Sequence, residues 1–205
     1  VGTIGLPHNR RIVPTRWSTT ATDDVIGNYL RDEIKGYPLS DFLAFFGSYL
    51  GNYFLILCYP EIYSYELFEM FAQPMKPQEP TCTTDVEPYE GRKTYAENTA
   101  GGFYAARVAI LEGLKAIRRQ ATVIALRFIT EEYEVPLGVF VVREAARRAM
   151  QTKPLEFSSE ELMATYAGHL AMKRFGIDLS AILKTSRLLD QRKHQPKLSS
   201  FVEGP

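Results

Sequence analysis

Two short, almost wholly apolar segments place the strongest constraint on the fold. They read NYFLILCYP at 52–60 and ATVIALRFIT at 121–130. Each is rich in aliphatic and aromatic residues and is too short to cross a bilayer. Both segments therefore predict buried strands, and the strong apolarity of the second predicts a central position in a sheet.

Segments with helical periodicity alternate with these strands. The spacing of apolar residues predicts helices at 21–35 with Thr20 or Thr22 as N-cap, at 40–51 with Ser40 as N-cap, and at 102–119, 158–175 and 178–193. The helix at 158–175 has a Ser158 to Glu161 capping-box spacing.

Three further segments complete the prediction. A strand is expected to run into a helix near Val142, the segment 62–71 fits either a strand or a helix, and the proline-rich stretch 74–95 predicts a long loop. The alternation of strands and helices indicates a mixed α/β (α+β) fold. We expect one globular domain over residues 1–190 and a flexible C-terminal tail over 191–205.

Charge is balanced overall but unevenly distributed. The chain has 24 basic and 24 acidic residues, so no overall positive field attracts nucleic acid or an anionic membrane. Any site for a polyanion must therefore be local. The first twenty residues contain arginines and no acid, the stretch 61–90 is acidic, and the C-terminal region is basic.

Cysteine usage and hydropathy indicate the compartment. Cys58 and Cys82 lie outside any CxxC or CxxH pattern, which favours a reducing compartment and gives no zinc site. No apolar run reaches the length of a membrane span, and the first residues lack the order of a signal peptide. We expect a soluble, cytoplasmic protein with no membrane partner, and the sequence leaves its oligomeric state open.

The N-terminal lead, defined as residues 7–18 (PHNRRIVPTRWS), contains the first candidate site: His8, Arg10, Arg11, Arg16 and Trp17. Guanidinium groups match phosphate geometry and an indole can stack on a base, so this composition suits a nucleotide or a nucleic-acid strand. The alternative is that Trp17 anchors the lead in the core while the arginines pair with the acidic middle of the chain.

A second candidate site precedes the helix at 102–119. The sequence ENTAGG places Asn98, Gly101 and Gly102 where backbone amides are unpaired, which is the geometry by which helix starts bind anions, and Arg107 could add a charge. The spacing is neither GxGxxG nor a P-loop. The alternative is that the glycines permit a tight turn or close packing.

Acidic and basic pairs provide two further hypotheses. Asp23 and Asp24 could hold a divalent metal beside a bound phosphate and act as catalytic residues, or they could compensate the dipole of a helix start. Arg143 and Arg147 lie four residues apart and could line a basic groove, or they could belong to a salt-bridged surface.

The tail contains a spacing typical of a docking peptide. In QPKLSSFV, Gln195, Leu198 and Phe201 are three residues apart, so Leu198 and Phe201 share one side of a tight helical turn and can enter an apolar pocket. The pattern resembles the PIP box by which repair proteins bind the sliding clamp, PCNA. Val202 stands where that box usually has a second aromatic residue.

Three longer blocks, together with this tail, resemble the archaeal Nre DNA-repair proteins. The blocks are VPTRWSTTATDDVIGNYLRDEI at 13–34, YAENTAGGFYAARVAILEGL at 95–114 and GVFVVREAARRAM at 138–150. The resemblance implies a role in the repair of damaged DNA, with the clamp as a partner, and it implies that the segments around Arg16 and Gly101 form one site. It supplies no catalytic residues. The resemblance would also imply a cysteine-rich, zinc-ribbon-like N-terminal part, which the given sequence does not contain.

Three functions are compatible with these observations. The first is a DNA-repair factor that binds damaged or single-stranded DNA through the lead and the clamp through the tail. The second is a metal-dependent enzyme that cleaves a nucleotide or a DNA phosphodiester, with a divalent metal as cofactor. The third is a non-catalytic adaptor between the clamp and another repair protein.

Overall fold

We describe the protein from a computed structural model, which describes residues 2–72, 82–134 and 137–194. The strands are β1 (Gly2–Ile4), β2 (Arg11–Val13), β3 (Phe42–Tyr49), β4 (Asn52–Tyr59), β5 (Ser64–Phe71), β6 (Cys82–Glu87), β7 (Thr122–Ile129) and β8 (Leu155–Phe157). The helices are α1 (Thr15–Ile34), α2 (Ala100–Ile117), α3 (Val139–Met150), α4 (Glu160–Phe175), α5 (Leu179–Leu183) and α6 (Arg187–His194). The predicted mixed α/β class is confirmed.

A six-stranded sheet forms the centre of the molecule, with the strand order β6-β5-β7-β4-β3-β8. Strands β5 and β7 are parallel, and the other neighbouring pairs are antiparallel. Every residue of β7 is buried, and β4 and β5 flank it. The prediction of a central, fully buried strand at 121–130 is therefore confirmed, as is the strand at 52–60. A separate two-stranded sheet pairs β1 with β2 beside α1.

Side chains alternate between the two faces of the sheet, and each face has its own apolar core. Ile56 packs with α1, α2 and α3 on one face, whereas the next residue, Leu57, packs with α4, α5 and α6 on the other. Burial of one large apolar side chain stabilises the fold by about 1.5–3 kcal/mol. We call the two sets the first helical layer (α1–α3) and the second helical layer (α4–α6).

The predicted helix at 40–51 is wrong, because this segment contains β3. Its apolar residues alternate between the two cores, with Phe45 in the first and Ala44 in the second. Strands β4 and β8 pair with it on either side. Periodicity alone does not distinguish a short apolar strand from a buried helix, and the sheet neighbours decide the outcome. The ambiguous segment 62–71 contains β5.

Other boundaries also differ from the predictions. Helix α1 begins at Thr15, after Pro14 as N-cap, rather than after Thr20 or Thr22. Residues 82–87 form β6 instead of continuing a loop. Helix α3 begins at Val139, and the described residues between β7 and α3 contain no strand, so the strand predicted to run into a helix near Val142 is wrong. The last predicted helix is divided into α5 and α6. A buried carboxylate on β5 explains this division, because Glu66 accepts hydrogen bonds from Ser186 Oγ and from the N–H groups that begin α6.

A candidate nucleic-acid interface at three helix starts

The first turns of α1, α2 and α3 meet at one cleft with a volume of about 590 Å³. Thirteen residues line this cleft: Thr15, Arg16, Trp17, Thr19, Thr20, Tyr95, Ala100, Gly101, Leu137, Gly138, Val139, Phe140 and Arg143. A side pocket of about 510 Å³ adjoins it and is lined by Trp17, Thr20, Ala21, Asp24, Tyr95 and Tyr104. The two cavities share Trp17, Thr20 and Tyr95.

All three helix starts at the cleft lack a side-chain cap from the described residues. Their N-caps are Pro14, Thr99 and Gly138, and none of the three first turns contains an acidic residue. The first N–H groups of a helix have no partner within the helix and carry partial positive charge. Three such ends at one cleft favour an anion there.

The lead adds cationic and aromatic side chains at the cleft. Arg16 and Trp17 occupy the first turn of α1, and the side chain of Trp17 is 56% exposed. The interpretation that Trp17 anchors the lead in the core is therefore wrong. Within the described part of the chain, no salt bridge involves Arg10, Arg11 or Arg16, and all three are exposed.

Not every candidate in the lead reaches the cleft. His8 lies in a single 3-10 turn, Arg10 directly precedes β2 and Arg11 begins it, and all three are exposed and outside the cleft lining. Strand β1 is fixed to α1, because Ser18 Oγ donates a hydrogen bond to the Thr3 carbonyl, and β2 of the lead is held in turn by its pairing with β1. These three side chains can therefore extend a basic surface beside the cleft without forming its wall.

A carboxylate on β6 fixes the start of α2. Asp85 Oδ2 accepts hydrogen bonds from Asn98 N at 2.9 Å, Thr99 N at 2.8 Å and Thr99 Oγ1 at 3.0 Å. The next residue, Ala100, has φ of 40°, a conformation that costs an L residue about 1–2 kcal/mol. The Thr99 hydroxyl thus binds Asp85 instead of capping the helix, and the Asn98 side chain bonds to Thr84 rather than lining the cleft.

The two glycines of ENTAGG differ in role. Gly101 lines the cleft, and a Cβ there would lie 2.9 Å from Val139 Cγ1, so Gly101 lets α2 approach α3 closely. Gly102 is buried, and a Cβ there would lie 2.7 Å from Glu69 Oε1. The structure therefore brings Gly101 to the cleft beside Arg16 and leaves Gly102 below it, where close packing requires a glycine.

Arg107 lies in a buried ion-pair network beneath the side pocket. Its guanidinium donates to Glu87 Oε1 and to Asp24 Oδ1, each at 2.7 Å, and only 1% of the side chain is exposed. Gly27 makes room for it, since a Cβ there would lie 2.6 Å from Nη2. Burial alone lowers the pKa of Arg107, but its neighbours together, with Glu87 the largest contributor, raise this pKa above its ordinary value. Arg107 therefore stays charged and binds carboxylates, not the cleft.

The two predicted catalytic aspartates bind different arginines. Arg143 Nη2 donates to Asp23 at 2.6 Å and 2.5 Å, whereas Asp24 pairs with Arg107. No group of three or more metal-ligating side chains occurs among the described residues. The metal hypothesis stays a prediction, and it would require these arginines to release the carboxylates.

The sequence pattern missed Tyr95 at the cleft, whereas it had named Arg143 as a candidate for a basic groove. Tyr95 precedes ENTAGG in what was predicted to be a loop, and its ring stacks on Tyr104 with centroids 5.2 Å apart. Of the arginine pair on α3, Arg147 binds Glu112 and Glu144, as expected for a salt-bridged surface. Arg143 instead lines the cleft, and its Nε has no hydrogen-bond partner in the described residues.

The predicted clamp-binding residues Gln195, Leu198 and Phe201 lie outside the described residues. The described chain ends with α6 on the second helical layer, where Leu188 is buried in the core. Nothing in the described part of the chain is a helix long and apolar enough to cross a membrane.

Two family models match the chain. Residues 1–75 match "Archaeal Nre, N-terminal" and residues 87–201 match "Archaeal Nre, C-terminal". The chain is 38% identical over 161 residues to "DNA repair protein NreA" of Archaeoglobus fulgidus, covering 77% of this chain and 41% of that protein. It is 36% identical to a protein of the same name from Haloferax volcanii, covering 73% of this chain and 37% of the relative.

A third relative aligns along almost the whole chain. "DNA repair protein NreB" of Archaeoglobus fulgidus is 37% identical over 205 residues, which is 98% of this chain and 50% of the relative. The chain thus spans half or less of the length of these curated relatives. No solved structure was found to match it.

Proposed function

The chain belongs to the archaeal Nre family, and we propose that it is a DNA-repair factor that binds DNA at the cleft between α1, α2 and α3. The observation that carries this proposal is the meeting of three uncapped helix starts with Arg16 and Trp17 at one cavity. Two NreA proteins and an NreB protein, each named a DNA repair protein, support the repair role.

Each component of the cleft matches one part of a nucleotide. The unpaired N–H groups at the helix starts and the Arg16 guanidinium suit a phosphate, and the exposed Trp17 indole suits the face of a base. A base stacks on a side chain only where it is not stacked within a duplex. The cleft therefore favours single-stranded DNA or a damaged site with an unstacked base.

The charge balance predicts a modest dependence of affinity on salt. The chain has a formal net charge of zero, so only the phosphates at the cleft and along the lead are neutralised on binding. The slope of log affinity against log salt is proportional to the number of neutralised phosphates. We expect this slope to correspond to about two or three phosphates.

Fluorescence anisotropy of a labelled single-stranded oligonucleotide tests this proposal across a series of salt concentrations. Arg16→Ala should lower the affinity about tenfold at low salt and reduce the salt slope by about one. The matched control is Arg187→Ala, because Arg187 is exposed on α6 in the second helical layer. A slope as steep as that of a strongly basic protein, or equal affinity for both variants, would contradict the proposal.

We also propose that the tail recruits the chain to the sliding clamp. The pattern of Gln195, Leu198 and Phe201 supports this, and α6 brings the chain to residue 194 on the second helical layer, away from the cleft. DNA and the clamp would then bind to opposite sides of the sheet. The two interactions would not compete for one surface.

Calorimetric titration with the sliding clamp tests the tail directly. We expect micromolar affinity that is lost in the Leu198→Ala, Phe201→Ala double variant. The double variant Ser199→Ala, Ser200→Ala is the matched control, because it alters the same segment outside the pattern. Clamp binding that survives the first pair, or no binding by the unmodified chain, would show that the tail is not the docking element.

A further inference from the structure

We infer that the side pocket takes a single unstacked nucleobase and that it prefers guanine. This inference rests on the proposed function, because it names the group that the DNA-binding cleft would receive. The side pocket combines aromatic residues with one carboxylate and has a volume of about 510 Å³, within the range of small-molecule sites.

Three aromatic side chains line the pocket, one each from α1, from the loop before α2 and from α2. Trp17 comes from α1 and is 56% exposed, and Tyr95 comes from the loop before α2 and is 53% exposed. Tyr95 is held by stacking on Tyr104, whose hydroxyl accepts a hydrogen bond from Ala96 N at 3.0 Å. Burial raises the pKa of the Tyr104 hydroxyl. Tyr104 thus supports Tyr95 from behind, and the rings of Trp17 and Tyr95 remain open to a planar ligand.

The charged group of the pocket is the carboxylate of Asp24. Its Oδ1 accepts from Arg107 Nη2 at 2.7 Å and from Asn28 Nδ2 at 3.4 Å, which fixes its orientation. No hydrogen bond from any described residue reaches Oδ2, and the side chain is 44% exposed. An ionised carboxylate only accepts hydrogen bonds and has room for about four, so it can take two more donors.

The Watson–Crick edge of guanine is the one that offers adjacent donors. Its N1–H and N2–H groups lie side by side and can both bind a carboxylate. Adenine and cytosine each present one amino group beside a ring-nitrogen acceptor, and thymine presents one N–H between two carbonyl oxygens. An acceptor facing an acceptor is repulsive, so Asp24 should discriminate against those three bases.

The position of the pocket agrees with a base attached to a bound phosphate. Trp17, Thr20 and Tyr95 line both the side pocket and the cleft, so the two cavities adjoin. A nucleotide whose phosphate lies at the helix starts can therefore place its base against Asp24. The phosphate would provide affinity regardless of sequence, and the base would provide selectivity.

The sequence contains one tryptophan, which provides the readout. Trp17 is the only one, so any change in tryptophan emission on binding originates at Trp17, which lines both the side pocket and the cleft. We would titrate the protein with labelled thymidine oligonucleotides that carry one central guanine, hypoxanthine, adenine or abasic residue. Anisotropy measures total binding, and the emission of Trp17 measures stacking.

We expect the guanine strand to bind about tenfold more tightly than the adenine or abasic strand and to quench Trp17 most strongly. The hypoxanthine strand should be intermediate, since it keeps N1–H and lacks the N2 amino group. Binding by anisotropy with equal affinities for all four strands would overturn the base-pocket inference and leave DNA binding intact. No binding in either readout would refute the proposed function itself.

Two variants separate recognition from stacking. Asp24→Asn should reduce the guanine to adenine ratio toward one, because the amide replaces one acceptor by a donor. Because Asp24 also pairs with Arg107, Tyr95→Leu provides an independent variant that leaves this ion pair in place. Tyr95→Leu should weaken binding of the base-containing strands about fivefold and keep their order. An unchanged guanine preference in Asp24→Asn would overturn the assigned role of the carboxylate.

Discussion

The two helical layers differ at the first N–H groups inside their helices, although Asp85 of β6 binds the N–H groups of Asn98 and Thr99 just before α2. In the first layer, α1, α2 and α3 begin without a side-chain cap from the described residues and without an acid in the first turn. In the second layer, Ser159 caps α4 and Asp178 caps α5, while Glu66 of β5 binds the start of α6. Helices that pack on the two faces of the same sheet thus differ in whether their first turns are capped.

The missing caps in the first layer lower stability on the side of the sheet where the cleft lies. A cap typically stabilises a helix by about 1 kcal/mol, so three uncapped starts leave stabilisation unused on one side of the sheet. On that side, Arg16 and Trp17 are exposed, and Tyr95 and Arg143 complete a cavity. In the second layer, by contrast, side chains accept hydrogen bonds from the N–H groups at the starts of α4, α5 and α6. We therefore propose that the first layer is organised for binding and the second for stability of the fold.

The largest expected effect concerns the ion pairs beneath the side pocket. Arg107→Met should lower the free energy of unfolding by about 3 kcal/mol, because it leaves the fully buried Glu87 with Arg31 as its one remaining cationic partner among the described residues. Arg147→Met is the matched control, since Arg147 forms a partly exposed pair with Glu112, and it should cost less than about 1 kcal/mol. Urea denaturation measures both. Equal costs would mean that burial does not distinguish the two networks.

The next effect concerns the buried cap of α6. Glu66→Gln should lower the free energy of unfolding by about 2 kcal/mol, because an amide oxygen cannot replace both carboxylate oxygens that bind Ser186 and the start of α6. Glu156→Gln, at an exposed position of β8, should be neutral. DNA affinity should not change in either variant. A loss of DNA binding in Glu66→Gln would break the proposed separation between the layers.

A smaller effect distinguishes two neighbouring serines at the start of α4. Ser159→Ala should cost about 1 kcal/mol, since Ser159 Oγ accepts from Leu162 N, whereas Ser158→Ala should be neutral because Ser158 is exposed and outside the helix. Thermal unfolding of the two variants measures this difference. The sequence pattern had placed the cap at Ser158, and the reverse order of stabilities would favour that placement.

The sequence predicted those elements whose own composition decides their structure. Strands β4 and β7 are so apolar that only a buried sheet accommodates them, and Gly176 ends α4 in the left-handed conformation that glycine favours. Strand β3 was missed because aromatic and aliphatic runs of its length fit a helix or a strand equally well. Its neighbours in the sheet, which are distant in sequence, determine the result.

The cleft was predictable only in part. The resemblance to the Nre family implied that the segments around Arg16 and Gly101 form one site, and both residues line the cleft. The part of the cleft formed by the start of α3 was not expected, because the segment before Val142 was predicted to be a strand. Arg107 could not be recognised as buried from its spacing, since only the fold places Gly27 and Glu87 against it.

The two segments matched by the family models contribute strands to the same sheet, and these strands are interleaved. Strand β7, from the C-terminal match, lies between β4 and β5, which come from the N-terminal match. Neither part of the chain therefore contains a complete sheet. The cleft has the same origin, because α1 comes from the first match and α2 and α3 come from the second.

The most direct test of the account places a negative charge at an uncapped helix start. Thr15→Asp should raise the free energy of unfolding by about 0.5 kcal/mol, because an acid in the first turn of α1 compensates the helix dipole. The same variant should lower the affinity for single-stranded DNA about tenfold by repelling the phosphate at the cleft. Thr15→Asn, which adds no charge, is the control. A more stable protein with weaker DNA binding is the predicted result, and unchanged DNA affinity in Thr15→Asp would contradict the assignment of the cleft.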